Sequence, residues 1–140
     1  MDSVPAAPEV VENALGTQPH DVDSDPGPRA IFTDPEIASI GLTAEEAEER
    51  GHEVVVGRAG FSGGKARAWG QEKGAAVIVG EKGTGRILGA EVLGYHAADL
   101  LHPVVVAMQA PGAPASLIAD SFHIHPTLGE VVQSAASQIV

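Results

Sequence analysis

Cysteine is absent from the 140 residues. The chain therefore has no disulfide framework, no thiol nucleophile and no thiolate metal site of its own, while a zero count leaves the compartment open. Basic residues are scarce. Three Lys and five Arg, scattered along the chain, stand against 19 acidic residues, for a formal net charge of −11. A surface for duplex nucleic acid or an anionic membrane needs clustered Lys and Arg, so neither is expected as a partner. No apolar run reaches the about 18 residues that span a bilayer. No basic-then-apolar block at the start reads as a secretion signal, and a cytoplasmic setting is the expectation.

What is present suits one domain. The length fits a single core, and 17 Gly with 10 Pro announce frequent turns. Residues 1–30 hold six acids and one base; by composition alone they read as a disordered tail, with a two-turn helix over residues 9–15 too short to stand alone. From Ala30 onward the pattern changes. Residues 30–32 and 37–42 suit short strands. Thr43 with Glu46 three residues on is a capping box, predicting a helix over residues 44–50 that ends at Gly51. Its four glutamates read as a solvated face. The run Val54, Val55, Val56 suits a strand. Residues 74–79 and 86–93 form strands joined by the turn Glu81-Lys82-Gly83-Thr84-Gly85, hence an antiparallel hairpin.

The last third turns helical. Residues 97–109 are apolar nearly all round, which predicts burial on every side and hints at a protein interface; Pro103 is expected to kink or break this helix. A helical turn follows Pro114. Leu128, Val131, Val132, Ala135, Ala136 and Ile139 keep the helical period. Strands with hairpin signals first and helices afterwards predict an α+β fold, a mostly antiparallel sheet with helices packed on it.

Two candidate sites fail on spacing. Residues 60–66 (GFSGGKA) resemble a phosphate loop, but Ala59 and Ala66 stand where a Walker A loop needs Gly and Ser or Thr. His123 and His125 share one side if extended, and Glu130 would make a third metal ligand; no spacing supplies the remaining ligands, so no metal is expected. The strongest constellation is HPTLGE, residues 125–130. An imidazole can take and return a proton near neutrality, and a carboxylate on its other nitrogen fixes the tautomer. His125 and Glu130 lie about one helical turn apart, within reach. The bland alternative is a second capping box, Thr127 to Glu130, in which Glu130 serves the helix dipole.

Three motifs, FTDPEIASIGLT (residues 32–43), GRILGA (85–90) and HPTLGE (125–130), together resemble the dimerisation domain of the class I pyridine nucleotide–disulfide oxidoreductases, the family of dihydrolipoamide dehydrogenase and glutathione reductase. The resemblance covers residues 29–140. Residues 10–16 (VVENALG) are similar to the last helix of a preceding flavin domain, which makes residues 1–28 its remnant and connector. The resemblance implies a two-fold dimer, or pairing with a flavin-bearing subunit. It implies that His125 is an acid/base residue oriented by Glu130 and delivered to the partner's redox disulfide, with His125 and Pro126 beside the partner's flavin. It assigns His123 no such part. FAD and NAD(P) belong to the full-length enzymes; the chain alone is expected to bind neither and to be inactive by itself. The single glutamate in HPTLGE is closer to the lipoamide type, although Gly129 replaces the usual Ser. The alternative is a stand-alone, non-catalytic homodimerisation module.

Overall fold

The computed structural model describes Val11, residues 14–16 and residues 27–140. The helix expected over residues 9–15 and the connector up to residue 28 lie largely outside the described residues. The elements run β1 (Arg29–Ile31), β2 (Glu36–Gly41), α1 (Ala44–Glu49), β3 (Val54–Gly60), α2 (Gly64–Ala68), β4 (Ala75–Glu81), β5 (Ile87–Gly94), α3 (Ala97–Gln109), α4 (Ser116–Ala119) and α5 (Glu130–Ala136).

The fold is α+β. Five strands form one sheet in the order β1-β2-β5-β4-β3, every neighbouring pair antiparallel. The register sets two inward rows across the sheet. Ala38 and Ala76 both pair with Val92, and Ile40 and Ile78 both pair with Ala90; all six are buried. Alternation then puts the next residues on the opposite face. Small side chains in these rows let helices lie close. α3 crosses β2 and β5, and α5 crosses β3 and β4. Leu101, Val104, Val132, Ala135 and Ile139 complete this core.

α5 packs closely against Gly57. A Cβ there would run into the Ala135 carbonyl, so helix and strand touch main chain to main chain. Phe61 solves a different problem. Its buried ring lies over Gly74 and Gly94, filling the space their missing side chains leave.

The opposite face is only partly covered. Leu42, Ala47, Val79 and Leu88 form a small second cluster, held by α1. The Thr43–Glu46 capping box is present in both directions, and Gly51 follows in the left-handed conformation, φ +87°. Farther along that face Ile31, Ile37 and Leu93 pair in one row, each exposed.

Several features differ from the sequence pattern. α3 runs unbroken through Pro103. Ala97, Leu101, Val104 and Ala107 bury one face against the sheet, Pro103 lies on the exposed side, and packing outweighs the lost hydrogen bond. The other side of α3 is open in the single chain, with Val106 63% exposed. The glycine-rich stretch after Phe61, which carries no apolar period, forms α2. Finally, α5 spans fewer residues than the period of residues 128–139 suggests, with Gly129 as its N-cap.

Candidate functional site

The site is built on the last connection. α4 ends at Ala119, and α5 begins at Glu130, so a ten-residue segment must return the chain to the sheet. Among the described residues, no main-chain to main-chain hydrogen bond involves residues 121–127. Side chains hold the segment instead. The Ser121 hydroxyl bonds the Leu117 carbonyl. His123 Nε2 lies 3.0 Å from the Ile118 carbonyl oxygen, so it donates there. The Gln133 side-chain amide donates to Ala119 O at 3.1 Å and Ser121 O at 3.3 Å.

The segment ends in the imidazole. His125 Nδ1 lies 2.7 Å from Glu130 Oε1, and the Thr127 main-chain N–H donates to Glu130 Oε2 at 2.9 Å. Both carboxylate oxygens are thus engaged. The His125 bond first, then the Thr127 N–H, holds the Glu130 carboxyl below the usual carboxylate range, with the nearby imidazoles of His125 and His123 adding to it. An ionised carboxylate only accepts. The shared proton therefore sits on His125 Nδ1, and the neutral ring keeps its lone pair on Nε2. The His125 side chain is 77% exposed against 32% for Glu130. One nitrogen is tied inward while the other faces outward without a partner among the described residues.

The sequence-predicted residues thus meet in part as expected. His125 and Glu130 are in contact, and Pro126 is exposed beside them, following a cis peptide. The Thr127–Glu130 capping box is only half made. Glu130 reaches back to the Thr127 N–H, but Gly129, not Thr127, is the N-cap, with Leu128 and Gly129 forming the turn that leads into the helix. His123 is turned away to Ile118, so the two imidazoles do not converge on one point with Glu130. Among the described residues, no group of three or more His, Cys, Asp and Glu side chains is placed to hold a metal ion.

Sequence reasoning missed the opposite wall. The turn at residues 60–64, discarded as a phosphate loop, stands across from α5. Phe61, Ser62, His125, Thr127, Glu130 and Ser134 line an open groove of about 210 Å³. Long-range antiparallel pairing of β3 and β4 carries this turn there, and no local pattern reports it. The segment leading to the imidazole carries bare apolar side chains: Phe122 and Ile124 are both exposed.

Residues 27–136 match the family model for the pyridine nucleotide-disulphide oxidoreductase dimerisation domain. The chain belongs to this family. It is 37% identical over 127 residues to dihydrolipoyl dehydrogenase of Chlorobaculum tepidum, covering 90% of this chain and 27% of that protein. It is 38% identical over 110 residues to mycothione reductase of Mycobacterium tuberculosis, covering 77% and 24%. Among solved structures it is similar to the HOCl-induced flavoprotein disulfide reductase RclA from Escherichia coli, with TM-score 0.82, 26% identity, and coverage of 96% of this chain and 31% of that one. The chain thus spans about a quarter to a third of the relatives it matches. Within the described residues no helix is long and apolar enough to cross a membrane.

Proposed function

We propose that this dimerisation domain serves a flavin-dependent NAD(P)H:disulfide oxidoreductase, most like dihydrolipoamide dehydrogenase. In this reading it supplies the His125–Glu130 acid/base pair to the redox disulfide of a partner subunit. The observation that carries it is the 2.7 Å contact between Glu130 and an imidazole whose other nitrogen is presented outward.

The chain's own residues handle the proton. As the sulfur of a dithiol substrate attacks the partner's disulfide, a new S–S bond forms and one cysteine leaves as thiolate. His125 Nε2 takes the thiol proton, and Glu130 stabilises the imidazolium and keeps the ring oriented. In the reverse direction the ring returns that proton.

The cofactors belong elsewhere in this reading. The sheet is antiparallel throughout, so the described residues contain no parallel strand–helix–strand unit with the glycine turn that cradles a dinucleotide. They do not fit as the holder of FAD or NAD(P). His125 and Pro126, exposed at the tip of the segment, suit an edge contact with a flavin held by the partner; bound there, the flavin carries the electron pair. Residues 1–28 then represent the end of a flavin domain and its connector. The setting is cytoplasmic, and the partner is a second copy or a flavin-bearing subunit. The exposed row Ile31–Ile37–Leu93 and the bare Phe122 and Ile124 support subunit pairing.

The test is turnover in the flavin enzyme assembled with this sequence. His125→Ala lowers disulfide–dithiol turnover about 100- to 10,000-fold; near-normal turnover overturns the acid/base reading. A colourless, stable homodimer that recruits no flavin-bearing polypeptide favours a non-catalytic pairing module instead.

A further inference from the structure

We propose that Gln133 is the positioning residue for His125. Among the described residues, the segment that delivers the imidazole makes no main-chain to main-chain hydrogen bond over residues 121–127, so bonds involving side chains determine where it stands. Two of those bonds come from one group, the Gln133 amide, which bridges Ala119 O and Ser121 O. Gln133 follows Glu130 by three residues on α5, and such residues share a helix face. One face of one helix therefore grips the segment twice: Gln133 at its root, and Glu130 at its tip through His125 Nδ1 and the Thr127 N–H. The spacing between those grips is set by the helix and not by the segment. α5 is in turn pressed onto β3 at Gly57. The path from the rigid sheet to the mobile proton is thus Gly57, Ala135, Gln133 and the segment. If Gln133 lets go, the root of the segment keeps only the Ser121–Leu117 and His123–Ile118 side-chain bonds, and the position of the imidazole falls mainly to the grip of Glu130 on His125 and Thr127.

The geometric claim is independent of turnover; its catalytic meaning rests on the acid/base reading above. The experiment uses the full 140-residue chain labelled with ¹⁵N-histidine. Long-range ¹H–¹⁵N spectra report which ring nitrogen of His125 carries the proton in the neutral form. In the parent chain the Nδ1–H form dominates. Gln133→Met, of similar length but without donors, and Gln133→Glu, of the same shape but without an amide donor at neutral pH, lose that dominance while the sheet resonances stay in place. Gln133→Lys, which restores a donor to the two carbonyls, brings it back. An unchanged His125 tautomer in both Met and Glu variants, or no recovery with Lys, overturns the proposal. Should Met fail to fold, the Glu and Lys pair decides alone. A tautomer that responds to Gln133 in an enzyme whose turnover ignores His125→Ala keeps the positioning claim and defeats only the acid/base reading.

Discussion

Gly57 and Ala135 meet backbone to backbone, so the helix that carries Glu130 is seated on the sheet at a point where no side chain fits. Gly57→Ala forces the helix outward, at a cost of about 1–3 kcal/mol as for other overpacked sites. Urea unfolding of the variant measures it. The same displacement shifts the histidine-ring signals of His125, because Glu130 and Gln133 move with α5.

Gly129 presents the opposite case. Its backbone is in the ordinary helical region, φ −60° and ψ −20°, and a Cβ would find only Thr127 Oγ1 at 3.6 Å. Nothing there requires glycine. Gly129→Ala stabilises the chain by about 0.4–1 kcal/mol through the unfolded state, read as a higher urea midpoint at unchanged slope. A lower midpoint would show that the turn into α5 needs the missing side chain.

Glu130 makes stability pH-dependent with a definite sign. Its carboxyl titrates below the usual carboxylate range in the folded chain, chiefly through His125 and then the Thr127 N–H. Its contribution is therefore fully present above the unfolded carboxylate pKa and is lost as pH falls through the lower folded value. Glu130→Gln lacks this term, so the stability gap between the two chains narrows on acidification through that window. A gap independent of pH in that range contradicts the bonding described.

The hairpin turn contains a second such carboxylate. Glu81 accepts from the Thr84 hydroxyl at 2.8 Å, from Arg86 Nη2 at 3.2 Å and lies 3.0 Å from His52 Nδ1. The Thr84 bond is the largest of several causes that hold its carboxyl low, followed by His52. Thr84→Val moves the Glu81 titration upward toward the ordinary range, visible by carboxyl ¹³C resonances. An unmoved titration would assign the shift to His52 and Arg86.

Phe61 ties the groove to the core. Its ring is 3% exposed and covers the Gly74–Gly94 backbones. Phe61→Ala leaves that space empty and costs about 3–5 kcal/mol, measured by denaturant unfolding.

Much of the chain was legible because the relevant physics is local. The Thr43–Glu46 box, the hairpin around residues 82–85 and the apolar period of residues 131–136 are each decided by neighbours within a few positions, and each stands where patterning puts it. The nearness of His125 to Glu130 is of the same kind, since five residues across a helix start leave little room to separate. The glycine-rich stretch at residues 60–68 was opaque for the converse reason. Its helix has no apolar period, and its place beside the imidazole comes from β3 and β4 pairing along their whole length.

Composition and short-range patterning were enough to set the α+β class, the helical last third and the His125–Glu130 pair, because caps, turns and periodicity act over one or two turns of chain. Folding in three dimensions settled the rest: that α3 stays whole through Pro103, that α5 rests on Gly57, and that the segment bearing His125 hangs from Gln133. Those outcomes depend on which surfaces meet across the sheet, and such meetings are governed by steric fit between residues far apart in the chain.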